Sequence, residues 1–197
     1  LRITAKLQGG YYNQDKSWFG NSKDALGEKS DYWWEGAFTP GLEGVYTVGD
    51  GQFYGRVSGV YATTSSDIDA AGSNANGQRE SSMRLEDAYL GWRSGDTFSF
   101  GKDFIDVSFG RQQYVAGNGF LFYSQSSNGK NRGGYWLGER RAADFLGKVT
   151  FNTGKLKTDL IYLNADDNPN TNTKLGGVTL DYQDEKWGYL GGGYYHL

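Results

Sequence analysis

Apolar and polar residues alternate with a period of two along most of this chain. In 1–13, Leu1, Ile3, Ala5, Leu7 and Tyr11 fall on one side, and Arg2, Thr4, Lys6 and Gln8 on the other. Successive side chains of a β-strand separate in this way. Phe53, Val57 and Tyr61 oppose Tyr54, Arg56 and Ser58; Ile105, Val107 and Phe109 oppose Asp106 and Ser108; Val178, Leu180 and Tyr182 oppose Thr179 and Asp181. The rhythm predicts strands over 1–13, 33–48, 52–64, 83–94, 103–115, 142–152, 155–165, 174–183 and 186–197. No long stretch keeps the spacing of an amphipathic helix. Pro40 lacks an N–H and predicts a bulge or break inside the second strand.

The connections alternate in length. Long polar links near 14–32, 65–82 and 116–141, and a shorter one near 166–173, are separated by tighter turns at Gly49-Asp50-Gly51, 95–102, Asn152-Thr153-Gly154 and Gln183-Asp184-Glu185. Outer-membrane barrels have short turns at one end and long loops at the other. A soluble sandwich has water at both ends and no physical reason for strict alternation. The prediction is therefore all-β: one domain over 1–197, forming an antiparallel up-and-down transmembrane β-barrel. Aromatic residues make up 16% of the chain and gather near the predicted strand ends, where amphipathic rings favour a membrane interface. They include Tyr11, Tyr12, Trp18, Tyr32, Trp33, Trp34, Trp92, Tyr135, Trp136, Trp187, Tyr194 and Tyr195. Single-chain bacterial barrels have even strand numbers, and an unpaired edge in lipid leaves backbone groups unsatisfied. An odd count thus predicts a partial set of strands, completed by further sequence or by a partner chain.

Composition removes several alternatives. The absence of Cys excludes disulfides and thiolate metal sites. The 20 basic and 23 acidic residues are interspersed and give a net charge of −3 without a basic stripe, which argues against a nucleic-acid partner. No apolar run approaches the roughly 20 residues of a membrane helix. The soluble-looking mean hydropathy is compatible with a barrel, because only alternate residues meet lipid.

Alternation also selects the candidate pore-lining charges: Arg2, Lys6, Glu35, Glu43, Arg56, Arg84, Glu86, Asp106, Arg111, Lys148, Lys157 and Asp159. Rings of charge in a narrow pore select ions, while facing opposite charges simply stiffen the wall. Arg111 has the parity of Phe109 on the apolar side, so a bulge after Gly110 or a place above the hydrocarbon band is expected. Arg132, Arg140 and Arg141 lie in or beside the longest loop. They are candidates to hold an anionic solute, since guanidinium groups pair bidentately with carboxylates. The competing role is to tie that loop to the wall through Glu139, Asp144 or Glu86. Asp67, Asp69, Asp166 and Asp167 are weak Ca²⁺ candidates, because they match no EF-hand spacing and turn formation explains them more simply. The single His196 stands at the chain end with no nucleophilic serine signalled nearby, so no enzyme and no cofactor is expected.

Three stretches carry a family resemblance. Val107-Ser108-Phe109-Gly110-Arg111-Gln112-Gln113-Tyr114 followed by Gly117-Asn118-Gly119-Phe120-Leu121, and Gly133-Gly134-Tyr135-Trp136-Leu137-Gly138-Glu139-Arg140-Arg141, resemble the strand-and-loop signature of bacterial alginate-export-like outer-membrane proteins. Leu85-Glu86-Asp87-Ala88-Tyr89-Leu90-Gly91-Trp92 resembles the preceding strand. The resemblance implies a porin-type barrel of about 18 strands with an electropositive lumen that passes an anionic polyuronate. The expected function is a channel in the bacterial outer membrane, in contact with lipid and lipopolysaccharide, passing polar anionic solutes such as uronate-type saccharides or small organic anions. The alternatives are a soluble carbohydrate-binding β-sandwich and a non-conducting barrel that serves as an anchor or adhesin.

Overall fold

The computed structural model describes residues 1–13, 32–65, 80–167, 171–186 and 188–197. It is built on one antiparallel sheet in which the strands lie side by side in chain order. They are β1 (Arg2–Asn13), β2 (Tyr32–Val48), β3 (Gly51–Thr64), β4 (Glu80–Arg93), β5 (Ile105–Arg111), β6 (Phe145–Asn152), β7 (Leu156–Asn164), β8 (Lys174–Asp184) and β9 (Gly188–His196). The sheet is open: β1 and β9 are its two edges. The strand rhythm thus places all nine strands, with ends shifted by a few residues. The largest shift is in β5, expected to reach 115 but ending at Arg111. There Gly110 has φ +122°, and a Cβ on it would lie 2.4 Å from the Ala88 carbonyl oxygen. The chain turns off the sheet at that point.

Pro40 does not break β2. It pairs with Ala5 of β1, and on the other side the register runs from Phe38–Tyr61 to Gly41–Ser58 without a shift. The irregularity lies one strand further on. Ser58 faces Asp87 and Gly59 faces Leu85, so β4 carries an extra residue at Glu86. A bulge of this kind reverses the alternation beyond it. Ser82, Arg84 and Glu86 share a face with Asp87, Tyr89 and Arg93, although Glu86 and Asp87 are neighbours in sequence.

The two faces differ sharply. One, here the outer face, carries Ile3, Leu7, Phe38, Leu42, Val57, Leu85, Leu90, Phe109, Leu160 and Leu180, all exposed. Among the described strand residues, charge reaches this face only at strand tips, as Lys174 and Asp184. The inner face carries most of the strand charges and is crossed by the segment 112–144. The expected rim aromatics divide between the faces. Tyr11 and Trp34 pack on the outer face with ring centroids 4.9 Å apart, beside Tyr32. Tyr12 and Trp33 stack on the inner face. Trp18 and Trp187 lie outside the described residues.

Gly110→Ala should destabilise the protein by about 1–2 kcal/mol or more, from the unfavourable backbone region together with the clash. It should also speed proteolysis of 112–144. Denaturant unfolding and a timed protease digest measure the two effects; wild-type values for both would remove this account of why the chain leaves the sheet.

Candidate functional site

The site is the inner face and the segment laid across it. From Gln112 the chain crosses toward β9, returns, and reaches β1 before rejoining the sheet at Phe145. A side-chain amide replaces the lost strand partner at the start: Gln125 accepts from Tyr114 N and donates to Tyr114 O, both at 2.8 Å. Tyr114 and Ala143 then pack on Leu146, Ile161, Leu163 and Leu175, with Phe122 against the Tyr195 ring at 4.6 Å. Burial is the main reason that the Tyr114 phenol is pushed up; its hydroxyl meets Thr179 at 2.9 Å. Where the segment meets it over β6–β9, the contact is mainly apolar and aromatic.

The other half, over β1–β4, uses carboxylates. Glu35 Oε2 accepts from Leu137 N at 2.9 Å. Glu86 Oε1 accepts from Arg141 N at 2.6 Å and from Ala142 N at 3.0 Å. Thr64 Oγ1 accepts from Gly134 N at 3.0 Å, and Lys6 Nζ donates to Glu139 at 3.0 Å. Trp136 stacks near Tyr12. Two expected pore charges, Glu35 and Glu86, thus bind the backbone of the crossing segment. They satisfy amides that would otherwise be buried without partners.

Asp166, in the link between β7 and β8, ties the start of the segment to its middle. Its Oδ1 accepts from Arg132 Nη2 at 2.8 Å, and Oδ2 pairs closely with Arg111, which also holds Asp144 at 3.0 Å. Burial alone would raise the Asp166 pKa, but the hydrogen bonds from Arg111 and Arg132 outweigh it and hold the carboxyl below the ordinary aspartate range. Arg111 is therefore not left open on the apolar face; it is bound at the end of β5 to Asp144, Asp166 and the Leu85 carbonyl.

The loop arginines have different fates. Arg140 is fully buried, donates to Ser82 Oγ at 3.3 Å, and leaves Nε and Nη1 without a hydrogen-bond partner. Burial, with Arg132 adding repulsion, lowers its pKa to about 10, so it stays cationic at neutral pH. Arg132 is 5% exposed and tied to Asp166. Both expected solute contacts are thus buried within the fold rather than open at its surface. Arg141 is partly open, stacks over Tyr123 at 4.8 Å and lies 3.9 Å from Glu139.

Nearer the short turns, the wall charges form a ladder. Arg2 pairs with Glu43, Glu43 with Arg56 at 3.0 Å, and Arg56 Nε with Asp87 at 2.8 Å. Asp106 accepts from Tyr54 and Arg93 donates to Gln52. Lys157 pairs with buried Asp159 at 3.2 Å, which also accepts from Thr150. Arg84 and Lys148 have no ion pair among the described residues. Sequence reasoning did not single out Asp87 or Asp181. Adjacent acids at 86–87 in an otherwise alternating strand were the available signal for the bulge.

Asp67 and Asp69 lie outside the described residues. Asp166 already holds two guanidinium groups, and Asp167 accepts from Thr171 and Thr173. Among the described residues no group of three acidic or histidine side chains could hold a metal. His196 sits on the outer face across from Gly176. Comparison with family models, curated proteins and solved structures gave no match.

Asp166→Asn should loosen the segment by about 1–3 kcal/mol, the scale of losing charged hydrogen bonds in a partly buried pair. Because the Asp166 pKa is depressed in the folded state, its contribution is complete above the ordinary carboxylate range near pH 4 and is lost as pH falls further through the lowered pKa. Hydrogen exchange of 112–144 should accelerate below about pH 4 in the wild type. The Asn variant should exchange quickly throughout; slow exchange in that variant would remove the anchor role.

Proposed function

We propose that this chain forms part of the wall of a β-barrel channel in a bacterial outer membrane, passing polar solutes. The observation that carries the reading is the sorting of charge by face. Between strand tips the outer face presents only uncharged side chains among the described residues, with Ile3 83%, Leu7 81% and Leu90 62% exposed. Apolar area left in water costs roughly 25 cal/mol per Å², and hydrocarbon removes that cost. Aromatic rings at strand ends, Tyr11 and Trp34 at one end and Phe53 opposite Trp92 at the other, fit the two interfaces of a bilayer. A soluble sandwich would need a second sheet over this face, and all nine strands belong to one sheet. The edges at β1 and β9 call for further strands, from more sequence or a partner chain, to close the wall.

Small organic anions or uronate-type saccharides are the proposed solutes. Support comes from Arg84 and Lys148, inner-face cations without carboxylate partners among the described residues, and from partly open Arg141. The segment crossing the inner face is also the stretch that resembles the alginate-export-like proteins, and an inward-folded loop is how a barrel narrows its channel. The density of its anchors supports a second reading, a plugged barrel that conducts little and serves as an anchor.

The full chain should require detergent to stay monodisperse and should produce discrete conductance in planar bilayers. Arg84→Glu together with Lys148→Glu should lower the anion-to-cation permeability ratio by about twofold or more, read as a reversal potential in a salt gradient. Detergent dependence without conductance would favour the plugged barrel. Good solubility in plain buffer would overturn both readings.

A further inference from the structure

We propose that the inner face of β8 and β9 carries a binding subsite for an uncharged sugar ring. A cavity of about 330 Å³ lies between these strands and the tip of the crossing segment, within the size range of small-molecule sites. Its floor is the run Gly191-Gly192-Gly193. The inward glycines, Gly191 and Gly193, leave room for two tyrosines that lean toward each other along β9. A Cβ at Gly191 would meet the Tyr189 hydroxyl at 2.5 Å, and one at Gly193 would meet the Tyr195 hydroxyl at 2.8 Å. The rings therefore lie low over the glycines, and Tyr189 is still 52% exposed.

Each part suits a polyol with apolar faces. A ring lying along the wall offers its π-face to the C–H face of a pyranose. Asp181, one of whose carboxylate oxygens accepts from the Tyr189 hydroxyl, and the exposed Asn118 at the tip of the crossing segment offer polar atoms to ring hydroxyls. Phe120, 93% exposed, and Leu121, 66% exposed, stand at the rim as apolar cover without a partner of their own in the sheet. The charge is opposite to that beside Arg84 and Lys148. The only ionised group among the described lining residues is Asp181, and none is basic. A uronate would be repelled, and a neutral sugar would not. The subsite goes beyond the channel reading and does not require conduction.

The test is calorimetric titration of the detergent-solubilised full chain with maltohexaose, cellohexaose and an oligogalacturonate of equal length. At least one neutral hexamer should bind, and more tightly than the uronate. Tyr189→Ala should weaken that binding about tenfold and Phe120→Ser about threefold, the scale of one aromatic contact. Phe120 is almost fully exposed, so its replacement leaves the fold intact even if Tyr189→Ala does not. Asp181→Asn should narrow the gap between neutral and charged sugars. The proposal is overturned if neither neutral hexamer binds, if the uronate binds as tightly, or if a folded Tyr189→Ala or Phe120→Ser variant binds like wild type. No membrane is involved, so a failed titration leaves the conductance result standing, and the reverse also holds.

Discussion

The structure depends on keeping charge off one face of the sheet. In the bilayer setting proposed above, an Arg or Lys directed at mid-bilayer hydrocarbon would cost about 2–4 kcal/mol, and a sheet with period two has only one other direction to send it. Here the other direction is crowded, and ion pairs run from strand to strand: Arg2 to Glu43, Glu43 to Arg56, Arg56 to Asp87. The bulge in β4 belongs to the same constraint. Without the bulge, either Glu86 would face outward with Leu90 or Asp87 would face outward with Leu85. With it, Glu86 binds the crossing segment and Asp87 completes the ladder.

Once the inner face holds the charge, the crossing segment can be anchored with little apolar burial of its own on the β1–β4 side. Carboxylates there accept backbone N–H groups, which satisfies two costly buried groups with one contact. Over β6–β9 the same segment relies on Tyr114, Phe122 and Ala143. Asp166 joins the halves by holding Arg111 and Arg132 together. Fully buried Arg140 is the strained member of this arrangement, since a guanidinium with unmet donors costs free energy that the surrounding anchors must offset. The segment is therefore held by two chemistries, carboxylate-to-backbone contacts over β1–β4 and apolar and aromatic packing over β6–β9.

Much of this was legible along the chain. Alternation identified the strands and the side on which Arg56, Asp106, Lys148 and Asp159 stand, because facing in a strand depends only on sequence parity. Unequal connection lengths gave the up-and-down order. Parity also flagged Arg111 as inconsistent with its neighbours, and the turn at Gly110 is the backbone feature that answers it. The bulge was anticipated at the wrong place. Pro40 advertises its missing N–H, yet its strand continues, and the extra residue appears in β4, near the partner of Gly59.

The sequence by itself determined strand identity, strand order and the separation of apolar from charged faces, since each follows from local periodicity and short connections. Only the tertiary structure decided which charges remain open and which are bound inside. Glu35, Glu86, Arg132 and Arg140 look like pore charges by parity or position and act as anchors, because their partners lie far along the chain and meet them only when 112–144 folds inward. Such pairings depend on where a long loop lands, and no local pattern encodes that.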